Sequence, residues 1–249
     1  MPHPAFQRTD HRPWPVPDHP WKWRQAWRDL LFAHWPVPAS ALRRQIPEPL
    51  EIQEYDGTAW LGLVPFRMAG VMRRPLPDLP WVSAFPEINV RTYVTHEGKP
   101  GVWFFSLDAS NPLAVWAARR MFHLPYKHAT IRFQQQGQDF QVHSRRREPG
   151  DQATLDIRYR PTSDVYLTQP GTLEHFLTER YCLYTKAPRG QLYRVDVHHV
   201  PWPLQRAEAE IGENELLERV VAGLGEKPSC LHFSSGVEVV AWGLEAVRG

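Results

Sequence analysis

Apolar positions along this chain fall into two periods. Trp23, Ala26, Trp27, Leu30 and Leu31 recur at helical spacing, which predicts a helix from Trp23 to His34, stopped by Pro36 and Pro38. From residue 50 onward the period is mostly two. Leu50–Tyr55 alternates, Asp56-Gly57 is a hairpin turn signal, and Thr58–Phe66 is rich in aromatic and β-branched residues. Pro75, Pro77 and Pro80 mark a loop. Phe85–Thr95 and Val102–Asp108 read as strands around a turn at Gly98-Lys-Pro-Gly101. Ser110 or Asn111 caps a helix that opens on Pro112, runs through Met121 and is ended by Leu124-Pro125. Strands follow at Ala129–Gln136, Phe140–Arg146, Ala153–Arg160, Gln191–His199, Gln205–Ile211 and Leu231–Trp242. Short helices are predicted from Thr172 through Tyr181 and over Glu215–Ala222. With about ten strands, four short helices and no βαβ alternation, the expected class is mainly β (α+β). It is a large antiparallel sheet or barrel with a few short peripheral helices.

Composition sharpens this picture. The 249 residues include 25 prolines, about twice average usage, which favours short elements and rigid turns over a helical bundle. Six of those prolines lie within residues 1–21, read as an extended arm that docks through Trp14 and Trp21; residues 22–249 form a single domain. A balance of 29 basic and 27 acidic residues is too even for a dedicated nucleic-acid binder. Cys182 and Cys230 supply neither a disulfide framework nor a four-thiolate zinc site, so free thiols and no metal are expected. No apolar run approaches the roughly 20 residues that span a bilayer, and Pro2, Pro4 and Asp10 do not form a signal-peptide core. The expected setting is the cytoplasm, with no membrane partner and no cofactor.

Candidate chemistry is sparse. The chain has no G-x-S-x-G elbow, Walker A loop or H-E-x-x-H, and Gly223-Leu-Gly225 follows a helix as a cap. His198 and His199 are strand neighbours whose side chains point to opposite faces, so they cannot chelate one ion. Arg145-Arg146-Arg147 reads as a solvated hairpin end. More informative is Phe85–Val94, where alternation places Glu87, Asn89, Arg91 and Tyr93 on one face. Because neighbouring strands are apolar on nearly every residue, and hence buried on both faces, that polar face is expected to line an enclosed cavity. The third segment is Arg119–Ala129, where Lys127 sits among apolar residues that would depress its pKa and favour imine chemistry.

At these residues the chain becomes recognisable. Leu31-Phe-Ala-His-Trp-Pro-Val37, Phe85-Pro-Glu-Ile-Asn-Val-Arg-Thr-Tyr93, Phe104-Phe-Ser-Leu-Asp-Ala109, Gly171-Thr-Leu-Glu174 with Thr178-Glu-Arg-Tyr181, and Val197-His-His-Val-Pro-Trp-Pro203 resemble the bacterial YqjF-like (DUF2071) family, from about Trp23 to Trp242. That family in turn resembles the acetoacetate decarboxylase-like superfamily, which implies a closed β-barrel-like fold with an internal site. The decarboxylase stretch G-R-E-I-x-G-F-P-K-K-x-A is matched at Arg119, Pro125, Lys127 and Ala129. In those enzymes the first lysine forms the Schiff base; here that position is Tyr126. Lys127, one residue on, points to the other face unless a bulge re-aims it. The resemblance implies a catalytic set of Glu87, Tyr126 and Lys127. Arg91, Asn89 and Arg119 hold the substrate, a small oxo acid or other carboxylic acid. Three readings stay open: an enzyme using acid–base chemistry, a non-catalytic ligand-binding protein, and an interaction module whose tryptophan-rich arm supplies an interface; a homo-oligomer is compatible with each.

Overall fold

The computed structural model describes residues 3–76, 83–225 and 227–247; Pro77 and Pro80 of the expected loop lie outside them. After a short 3-10 turn at Pro4–Gln7, the strands are β1 (Trp23–Val37), β2 (Glu51–Ile52), β3 (Ala59–Arg73), β4 (Phe85–His96), β5 (Lys99–Ala109), β6 (Tyr126–Gln136) and β7 (Asp139–Arg146). They continue with β8 (Thr154–Pro161), β9 (Cys182–Lys186), β10 (Leu192–His198), β11 (Leu204–Asn214), β12 (Cys230–Ala241) and β13 (Glu245–Ala246). Four short helices intervene: α1 (Ala39–Arg43), α2 (Pro112–Phe122), α3 (Leu173–Thr178) and α4 (Glu215–Glu218). The class is mainly β, as expected.

The first segment corrects the reading from periodicity. Residues 23–37 are a strand, paired antiparallel with β12 on one side and β3 on the other. Its register slips between Arg24 and Ala26 and again between Arg28 and Ala33, with Asp29 at φ 55°. The first slip places the extra residue on β3 and the second places it on β1, near Asp29; the second moves the apolar face of β1 by one residue and so breaks its period of two. The partner strand accommodates the bulge with Gly236, at φ 127°, where a Cβ would lie 2.0 Å from the Trp27 carbonyl oxygen; no other residue fits there.

The sheet closes on itself twice. One ring runs β1–β3–β4–β5–β9–β10–β12 and back to β1. A second leaves β5 through β6, β7, β8 and β11 and returns to β12. Pairing is antiparallel except for β5–β6 and β5–β9. The strands β12, β1, β3, β4 and β5 are common to both rings, so their two faces serve two interiors. On β1, β3 and β4, Leu30, Phe32, Val64, Phe66 and Tyr93 face the first. Leu31, Ala33, Leu63, Ile88 and Val90 face the second. This explains why these strands are apolar at nearly every position. Each fully buried side chain of this kind contributes roughly 1.5–3 kcal/mol.

The flanking elements follow local signals. Asn111 caps α2, its Oδ1 accepting from the amides of Leu113 and Ala114 at 3.0 and 3.1 Å. The hairpin turn between β4 and β5 is Glu97-Gly98, both at positive φ, so Lys99 and Pro100 already belong to β5. α3 and α4 are shorter than periodicity predicts. Arg146 is a clearer correction: it is buried rather than solvated, with Nε and Nη2 on the Asp108 carboxylate at 2.7 and 2.8 Å, Nη1 on Asp151 at 2.9 Å and Nη2 on Ser106 at 2.7 Å. The alternation of β7 sends it inward with Val142, and Asp108 is there to meet it. The arm docks along β10 and β12, where Arg12 donates to the Val197 carbonyl at 2.6 Å and Trp14 to Asp196 at 2.9 Å. Both cysteines are free thiols. Among the described residues no helix is long and apolar enough to cross a membrane.

Candidate functional site

β4 runs through the middle of the shared wall, and period-two alternation turns Glu87, Asn89, Arg91 and Tyr93 toward the first interior. All four are buried, Glu87 at 1 % exposure and Arg91 at 9 %. Across the sheet, Val64, Asn89, Leu107 and Tyr126 lie side by side on β3, β4, β5 and β6. Tyr126 therefore enters the same interior one step from Glu87. Its Oη donates to Glu87 Oε2 at 2.9 Å. Burial pushes the Glu87 carboxyl up to about 8, against hydrogen bonding from Tyr126 and Asn89 that pulls it back, while nearby Asp108 adds to the rise. The same burial and the adjacent carboxyl hold the Tyr126 phenol well above its ordinary value. At neutral pH the pair is a protonated acid beside a neutral phenol.

One row further along β4, His34, Gly62 and Arg91 are aligned on β1, β3 and β4. Gly62 leaves the room: a Cβ there would meet the His34 ring at 3.1 Å and Arg91 Cγ at 3.4 Å. Arg91 Nη2 donates to the Leu177 carbonyl at 3.1 Å, and its guanidinium lies over Phe32 and Tyr93 at 5.5 and 5.7 Å from their centroids. Arg180 reaches Tyr93 as well, at 4.8 Å, and donates to Gln53 at 2.5 Å and to the Phe176 carbonyl at 2.8 Å. Burial, with Arg91 as a like charge nearby, lowers the Arg180 guanidinium to about 10. Neither arginine has a carboxylate partner among the described residues.

The interior is also rich in polar atoms that no protein group satisfies. Arg91 Nε, Arg180 Nη2, Asn89 Oδ1, His34 Nδ1, His232 Nδ1 and Trp60 Nε1 are all buried without a hydrogen-bond partner. A buried polar atom left unpaired costs roughly 1–3 kcal/mol. Six of the unpartnered buried atoms are gathered around this interior.

Of the residues singled out from the sequence, Glu87, Asn89, Arg91 and Tyr126 come together here. Lys127 does not. It is half-buried on the opposite face of β6, where its charge acts on Glu148. Arg119 also stays outside, with Nε on the Tyr126 carbonyl at 2.7 Å and Nη2 on Glu148 at 2.6 Å; it braces the strand that carries Tyr126. His198 lies beneath the arm against Phe6 and His11, and His199 against Tyr181 and Trp202. His34, Arg180 and His232 escaped the sequence reading. His34 was hidden by the bulge of β1, and Arg180 lies just beyond a short helix, where no periodicity assigns a face. Two concavities among the described residues, of about 280 and 210 Å³, lie elsewhere, on the outer face of β6–β8 and beneath the arm.

A family model described as an uncharacterized conserved protein, DUF2071, matches residues 24–238. The uncharacterized protein YqjF of Bacillus subtilis (strain 168) is 44 % identical over 229 residues, covering 92 % of this chain and 94 % of its own. Among solved structures, an acetoacetate decarboxylase-like enzyme from Sphingomonas wittichii RW1 superposes with a TM-score of 0.62 at 12 % identity, over 92 % of this chain and 94 % of that one. The enduracididine biosynthesis enzyme MppR complexed with pyruvate gives a TM-score of 0.60 at 14 % identity, over 92 % and 91 % of the two chains. The last two establish a shared fold.

Proposed function

The chain belongs to the DUF2071 family, and from its first interior we propose that it binds a small carboxylic or oxo acid there and moves a proton at it. The observation that carries this reading is the pair of buried guanidiniums, Arg91 and Arg180, without a carboxylate of their own. Two uncompensated buried charges cost several kcal/mol each. A ligand carboxylate restores the balance by accepting from the free Arg91 Nε–H. Glu87, which keeps its proton near neutral pH, serves as the general acid, and Tyr126 fixes the orientation of its carboxyl. The pyruvate complex of MppR, a neighbour in fold, supports small oxo acids as the class.

The imine route has no support in this chain. Tyr126 stands where the decarboxylase pattern carries its nucleophilic lysine, and a phenol forms no imine. Lys127 is on the other face. That same absence favours a second reading, in which the site binds and carries the acid without turnover. Native mass spectrometry of the purified protein, wild type against Arg91→Met, tests the shared premise. We expect a small acidic adduct on the wild type that the variant loses. Identical spectra would refute the site. Exchange of the ligand's carbon-bound hydrogens in deuterated water then separates the two readings: catalysis at carbon gives exchange that Glu87→Gln abolishes, and a carrier gives none.

A further inference from the structure

We propose that the N-terminal arm, residues 3–21, is a strap that mild acid releases from β10 and β12, with His198 as the residue that senses the proton. The arm lies on an apolar strip. Ala5, with Phe6, Val16 and Trp21, packs on Val240 and Trp242, which are buried beneath it. Polar clasps hold it at intervals: Trp14 donates to Asp196 at 2.9 Å, and the His19 carbonyl accepts from Trp242 at 2.8 Å. The central clasp is Arg12, whose side chain is 1 % exposed. Its Nε donates to the Trp14 carbonyl at 3.1 Å and its Nη1 to the Val197 carbonyl at 2.6 Å. Nη1 has a second hydrogen, and His198 Nδ1 lies 3.4 Å from that nitrogen. A guanidinium only donates, so Nδ1 is the bare lone pair of a neutral ring whose own hydrogen is on Nε2.

A further proton can enter only at Nδ1. It would set N–H against N–H and cation against cation around a fully buried ring. The other groups facing His198 give no relief. The arm brings His11 and Phe6, with ring centroids at 5.7 and 5.2 Å, and Tyr181 stands at 6.5 Å. β12 brings Val240 as its register partner, and His199 is its neighbour on β10. The carboxylates of the region are held by other groups. Asp196 meets Arg12, Arg194 and Trp14; Glu179 accepts from Tyr181 and the Trp202 amide; Asp10 lies beside Arg8 and His11. Burial first, then Arg12, His199 and His11 as like charges, lower the docked ring to about 3 from its ordinary 6.5. With the arm lifted, a solvated imidazole takes its proton near 6.5. The proton therefore binds the released form in preference, and release is favoured as pH falls below 6.5. His11, lowered chiefly by burial, adds in the same direction.

Hydrogen exchange of the full chain, read by mass spectrometry at about pH 7.5 and about pH 5 and divided by the intrinsic rate at each pH, tests the strap. Protection then follows the released population. The arm's protection should fall at least about thirtyfold between the two conditions, the factor one histidine supplies, while β4 keeps its own. His198→Gln offers Arg12 an acceptor that takes no proton, and it should remove most of that fall. Three results would overturn the proposal: arm protection that holds in acid, protection lost by the arm and β4 together, or a fall in the glutamine variant as large as in the wild type. Should that variant fail to fold, the ring nitrogen-15 shifts of His198 in the wild type at about pH 7.5 decide. An unprotonated Nδ1 is expected, and a protonated one would overturn the proposal.

Discussion

The two interiors of this sheet both hold buried charge, and they treat it in opposite ways. In the second, Arg146 is ringed by acceptors: the Asp108 carboxylate takes two of its donors, and Asp151 and Ser106 take the others. Asp108 is fully buried, and its carboxyl is raised by burial even though Arg146 pulls it down. Apart from the Ser144 hydroxyl, the polar groups that face Arg146 find protein partners. In the first interior, Arg91 and Arg180 face each other's charge around Tyr93, and six polar atoms go unmatched. Asp108 and Arg91 lie on the neighbouring shared strands β5 and β4, and the burial is similar. One is a closed ion pair that ties β7 to β5; the other is a set of buried donors and acceptors without protein partners.

That contrast is open to direct attack. The largest effect should come from Arg146→Met, which leaves Asp108 buried with no cation beside it; a loss of about 3–5 kcal/mol in denaturant unfolding is expected. Asp108→Leu combined with Arg146→Met should recover most of it, and failure to recover would mean that Arg146 does more than balance a charge. Arg91→Met removes a charge that no protein group compensates, so stability should hold or rise. Affinity for a small carboxylate should meanwhile fall about thirtyfold, near 2 kcal/mol, by titration calorimetry. A stability loss as large as that of the Arg146 variant would erase the distinction between the interiors.

Glu87 gives a pH signature of the open interior. Its carboxyl ionises at about 8 in the fold against 4.5 for an ordinary glutamate. Between those values the unfolded chain has lost the proton that the native state keeps, so stability falls as pH rises, by about 1.4 kcal/mol per unit. Below 4.5 the penalty is absent, and above about 8 it is constant. Buried histidines with lowered values, including His34 and His232, bring the opposite slope below about 6.5, so the window of pH 6.5–8 isolates the glutamate. There, Glu87→Gln should flatten the profile; an unchanged slope would place the titration elsewhere. The smallest effect belongs to Lys127→Ala, expected to change stability by less than about 0.5 kcal/mol. Borohydride with acetoacetate should trap no adduct on that lysine, and a stable adduct would return the chain to imine chemistry.

Taken by itself, the sequence determined the β-rich class, the turns, the cap of α2 and the polar face of β4, because each is set by neighbours within a few residues. Glu87, Asn89 and Arg91 were legible for that reason, and Tyr126 through its place in a motif. What only the tertiary structure decided is everything that depends on bulges and on which strands meet. Pairing with β12 and β3 made the expected first helix a strand and brought His34 opposite Gly62 and Arg91. The pairing of β5 with β6 placed Tyr126 inside and Lys127 outside. Closure of the sheet made Arg146 a partner of Asp108, 38 residues away in the chain. Period and composition describe one strand at a time, whereas the charge state and hydrogen bonding of a site depend on contacts between strands that no local pattern encodes.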